Sequence, residues 1–140
     1  MKLSEWPRAV LADRLSHRGL DLRTGPFLYH INSDVEAIVD GLQSLYGDFT
    51  VDDGIPFADY HVQLSRQGNW RRFGWEVAVK VGGNSPASPL PLDQAFAVFE
   101  GCLNWCIYAH AHQYLIVHAA TVEKAGNAIV LPALPGSGKS

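Results

Sequence analysis

Ala128-Ile129-Val130-Leu131-Pro132-Ala133-Leu134-Pro135-Gly136-Ser137-Gly138-Lys139-Ser140 decides the reading of this chain. Residues 128–131 have the length and composition of a buried strand, and a glycine-rich loop follows directly. The loop meets the pattern G-x-x-x-x-G-K-S/T, with Ala133 at the first glycine, where the residue has only to be small. Such a loop turns successive backbone N–H groups inward around phosphate oxygens, and the following helix adds its N-terminal dipole. Ala133, Gly136, Ser137, Gly138, Lys139 and Ser140 are therefore candidate nucleotide-binding residues. Lys139 would reach the β- and γ-phosphates of ATP, and the Ser140 hydroxyl would ligate Mg²⁺. The helix would follow Ser140, so the 140 residues are expected to be a fragment of a longer protein, truncated inside a domain.

The strand leading into the loop is the second arm of a hairpin. A strand is expected over residues 114–123, with His118 on it, then a turn at Lys124-Ala125-Gly126-Asn127. Glu123, at the strand end beside Lys124, is expected to be solvated. Ahead of the hairpin, residues 92–113 read as one long helix. Leu92, Ala95, Phe96, Phe99, Cys102, Leu103, Cys106 and Ile107 make its apolar stripe, and Trp105 and Tyr108 widen it enough to be covered on two sides. Cys102 and Cys106 stand four apart, where side chains run parallel and do not meet disulfide geometry easily, so both read as buried reduced thiols. His110 and His112, two apart on a helix, face different sides and do not suit a shared metal.

Leu115-Ile116-Val117-His118-Ala119-Ala120-Thr121-Val122-Glu123, Gly126, Ile129-Val130-Leu131-Pro132 and Gly136-Ser137-Gly138-Lys139-Ser140 together resemble the core of HPr kinase/phosphorylase. That family lies within the phosphoenolpyruvate-carboxykinase-like class of P-loop folds. The resemblance covers residues 114–140. With the helix, which looks more like the HPr-kinase-related group of proteobacterial proteins, it reaches back to about residue 92. It implies a kinase that transfers the γ-phosphoryl of ATP to a hydroxyl, on a protein serine or a small molecule. It also implies that His118 sits beside the phosphates as a catalytic residue with Lys139. Residues 1–90 show nothing of the classical HPr kinase N-terminal domain, which leaves the phosphoacceptor open.

The first ninety residues read as a mixed α+β accessory region. A helix is expected over 4–17, with Val10, Leu11 and Leu15 on one side, then strands over 20–23 and 27–31 broken by Gly25-Pro26. Ser33 and Glu36 have the spacing of a capping box, ahead of Val35, Ile38, Val39, Leu42, Leu45 and Tyr46 at helical period. Residues 52–58 are acidic and turn-rich. Strands are expected over 60–65 and 75–81, with 66–72 as a basic hairpin loop around Trp70. Residues 82–89, Gly82-Gly83-Asn84-Ser85-Pro86-Ala87-Ser88-Pro89, have a linker's composition. The fold expected is α/β: a mixed α+β N-terminal region, 1–90, then residues 91–140 as the helix and β-hairpin that open a P-loop kinase domain.

Composition agrees. With 47% apolar and 18% charged residues the chain is globular, and a net charge of −3 gives no reason to expect nucleic acid or an acidic membrane as partner. No apolar signal-peptide core opens the chain, and the reduced thiols favour the cytoplasm. The sheet edge left by truncation is expected to favour homo-oligomers. Two other functions fit the loop: a nucleotide-sensing regulatory or scaffold module, and an ATPase of a transport or assembly system. The 140 residues alone are expected to be inactive.

Overall fold

Pro7 sets the start of the first helix. It has no N–H to donate and holds Trp6 extended, at φ −90° and ψ 127°. Its carbonyl accepts the N–H groups of Val10 and Leu11. The helix expected over 4–17 is therefore a 3₁₀ turn, Leu3–Glu5, followed by α1, Arg8–His17. Leu11 and Leu15 are buried, whereas Val10 is half exposed and lies off the core-facing stripe. Gly19 ends the segment at φ +82°, where a Cβ would collide with the His30 imidazole.

The computed structural model describes residues 1–52, 57–69, 74–134 and 136. They form two compact units, Met1–Ile107 and Tyr108–Ser140. In the first, β1 (Leu20–Thr24) and β2 (Phe27–Ser33) form a hairpin closed by the Thr24–Phe27 pair. The capping box does not form, because Ser33 remains in β2 and its hydroxyl accepts the Val35 N–H at 3.1 Å. Val35 becomes the N-cap of α2 (Glu36–Leu45), with no side-chain cap. Ile38, Val39 and Leu42 bury as the periodicity predicts, while Leu45 is exposed.

The short strand β3 (Thr50–Asp52) pairs with β1. β4 (Tyr60–Asn69) runs parallel to β2, and β5 (Gly74–Val81) returns antiparallel to β4. β4 extends through Arg66 and Asn69, which corrects the loop expected from 66. Positions 70–72, and residues 53–56 of the acidic stretch, lie outside the described residues. The linker-like stretch 82–89 starts as a turn, with positive φ at Gly82 and Gly83, and leads to β6 (Leu90–Pro91) on the edge of β5. The sheet order is β3-β1-β2-β4-β5-β6, and every pairing but β2–β4 is antiparallel.

One face of this sheet is apolar. Leu20, Leu22, Tyr29, Ile31, Val62, Leu64 and Val79 alternate with polar neighbours and bury against Leu11 and Leu15 of α1 and Ile38 and Leu42 of α2. Helix α3 (Ala95–His110), preceded by a 3₁₀ turn at Leu92–Gln94, adds Phe99, Cys102, Leu103 and Cys106 to that core. The cysteines are free and buried, as expected. The helix stops at His110, short of residue 113. Trp105 is 37% exposed, so the described residues of this unit do not provide the expected second cover. The architecture is a mixed α/β fold with a mostly antiparallel sheet and helices.

The second unit holds one hairpin, β7 (Ala119–Lys124) against β8 (Asn127–Pro132). The strand expected from residue 114 begins only at Ala119, so His118 precedes the strand and is not on it. β8 is exposed along its whole length, not buried, with Ile129 63% and Leu131 51% accessible. No described helix is long and apolar enough to cross a membrane.

Candidate functional site

The hairpin turn fixes what stands at its other end. Ala125 and Gly126 both take positive φ, 52° and 78°, as the two central residues of a type I′ turn require. The Glu123 carboxylate accepts the Gly126 N–H at 2.7 Å, and the Asn127 amide donates to the Ala125 carbonyl at 3.2 Å. Glu123 is exposed, as expected, and one of its carboxylate oxygens also holds the turn.

From this turn the register runs without a bulge: Lys124 opposite Asn127, Val122 opposite Ile129, and finally Ala119 opposite Pro132. His118 and Ala133 each lie one residue beyond that last pair, so the open end of the hairpin brings together positions fifteen apart in sequence. His118 is exposed there. Gly136 has φ +79°, and a Cβ built on it would meet nothing within 4 Å, so the backbone conformation and not crowding calls for glycine. Left-handed residues in such a loop let consecutive N–H groups converge on one anion. Ser137, Gly138, Lys139 and Ser140 lie outside the described residues.

Asp21, 7% exposed, accepts a 2.7 Å hydrogen bond from His30 Nδ1 across the β1–β2 pair, and the His61 ring stands 5.4 Å from that of His30. Sequence spacing gave no sign of this row, because it depends on which strands become neighbours. Its His30 ring closes over Gly19 and so helps fix the chain reversal after α1. Among the described residues no group of three or more His, Cys, Asp and Glu side chains is disposed to hold a metal ion. No protein-family model, no curated protein and no solved structure matches the chain.

Proposed function

We propose that the protein is an ATP-binding kinase of the HPr-kinase-like type, built on the loop 133–140. The observation that carries this reading is the register of the β7–β8 hairpin, which aligns His118 with Ala133, three residues before a glycine at φ +79°. In the reaction a hydroxyl oxygen of the acceptor, a protein serine or a small molecule, bonds to the γ-phosphorus. The bond from that phosphorus to the bridging oxygen breaks, ADP leaves with the bonding electron pair, and the hydroxyl proton is released to solvent. Such a transfer depends mainly on positioning and on neutralising the oxygens of the transferred group. The loop N–H groups and the Lys139 ammonium supply positive charge there. His118 donates a hydrogen bond to the phosphoryl group or orders the attacking hydroxyl. Mg²⁺ held on Ser140 would screen the phosphate charge.

The reaction also needs acidic groups around the metal and a cation opposite the γ-phosphate, which we assign to no residue among these 140. The composition of β8 supports a larger sheet: Ile129 and Leu131 on one face and Val130 on the other are the pattern of a strand covered on both sides, yet all three are at least half exposed. The test is transfer of γ-phosphate from labelled ATP by a version extended past Ser140 and by its His118→Ala variant. A fall of about 10²-fold or more in kcat with ATP affinity retained supports the assignment. Unchanged transfer removes His118 from the site.

A further inference from the structure

Helix α3 carries a glycine that the packing of the protein does not explain. Glycine inside a helix is destabilising relative to alanine, so an interior glycine calls for a reason. At Gly41 of α2 the reason is steric: a Cβ would collide with the Phe96 ring. At Gly101 of α3 nothing lies within 4 Å of the corresponding Cβ. Gly101 lines a cavity of about 250 Å³ bounded by α3, β5, β6 and the turn before β6. Val98, Gly101, Cys102 and Trp105 follow at i, i+3, i+4 and i+7, so one helix face fronts this space.

Val79 and Cys102, both nearly inaccessible, form the inner end of the cavity, while Leu90 and Trp105, 38% and 37% exposed, stand at its rim. Among the described residues no carboxylate, ammonium, guanidinium or amide side chain lines it. The Cys102 thiol adds no charge, since its hydrogen bond to Cys106 and its burial both hold it protonated. Such a lining offers an ion or a peptide backbone little to bind, but suits an apolar ring.

We propose that this cavity binds a small uncharged aromatic molecule of about two fused rings. The size follows from the volume: an apolar cavity of about 150 Å³ accepts a single benzene ring, and this one is larger. The indole of Trp105 supplies an aromatic surface at the rim against which a ring can pack. Gly101 leaves the space beside it open, which explains a glycine that no described neighbour demands.

Indole serves as the probe, in calorimetric titration and methyl NMR of the 140-residue chain. Expected are sub-millimolar binding and shifts centred on the methyls of Val79, Leu90 and Val98. Gly101→Leu should fill that space and weaken binding at least about tenfold, with the thermal midpoint maintained or raised. Ala87→Leu, on the opposite wall, fills the same space independently should Gly101→Leu misfold. No heat and no methyl shifts with the unaltered chain would overturn the proposal. So would shifts centred elsewhere, or unchanged affinity in a folded filling variant.

Discussion

Ala119 of β7 stands opposite Pro132 of β8, and this last pair of the hairpin register brings His118 to the start of the glycine-rich loop. A slip of one residue would send each side chain to the other face and move His118 out of line with Ala133. The turn that sets the register is therefore as consequential for the proposed chemistry as the loop itself.

Ala125 occupies a left-handed conformation that asparagine tolerates better than alanine. Ala125→Asn should stabilise the hairpin by about 1 kcal/mol. Slower amide hydrogen exchange in β7 and β8 would register the gain. Gly126→Ala, at φ 78°, should speed exchange at the same amides. Equal exchange rates in all three proteins would separate the turn from the register.

The interior glycines of α2 and α3 should respond in opposite directions. Gly41→Ala gains about 1 kcal/mol of helix propensity but drives a Cβ into the Phe96 ring. A net loss of about 1–2 kcal/mol is expected. Gly101→Ala meets no neighbour and should gain about 0.5–1 kcal/mol. Denaturant midpoints of the two variants on opposite sides of the unaltered chain are the expected result.

Two tyrosines should make the fold sensitive to alkali. Tyr29 is fully buried on β2, its hydroxyl donating to the Leu103 carbonyl of α3 at 3.2 Å, and burial pushes its pKa well up. Burial, then the nearby Glu100 carboxylate, pushes Tyr46 up to about 12. Both pKa values lie above that of an unfolded tyrosine, about 10. Their contribution is thus fully present below about pH 10 and is lost as pH rises through the folded values. Thermal midpoints should fall from pH 10 to 12, and Tyr46→Phe should make the fall shallower. Parallel pH profiles would contradict the assignment.

Much of this was legible in local patterns. The β1–β2 and β7–β8 turns, the apolar stripe of α2 and the free cysteines of α3 follow from neighbours within a few residues in sequence. Local pattern misleads where distant groups intervene. The Ser33–Glu36 spacing suits a capping box, but β2 pairs with β4 through Ser33, and Asp34 accepts the Arg66 N–H at 2.8 Å, which delays the helix. β3, only three residues long, carries too little pattern to be seen, and its partner is β1, nearly thirty residues earlier. His118 stands in the motif itself, and its alignment with Ala133 follows from a short hairpin with a regular register.

The measurement that bears most directly on the phosphate loop is calorimetric titration with Mg·ATP. It would compare three proteins: the 140-residue chain, a version extended past Ser140 by about a domain's length, and the extended version carrying Lys139→Ala. The account predicts micromolar binding by the extended protein, at least about tenfold weaker binding once Lys139 is removed, and weak or no binding by the 140 residues alone. No binding of Mg·ATP by the extended protein, or binding indifferent to Lys139, would contradict it.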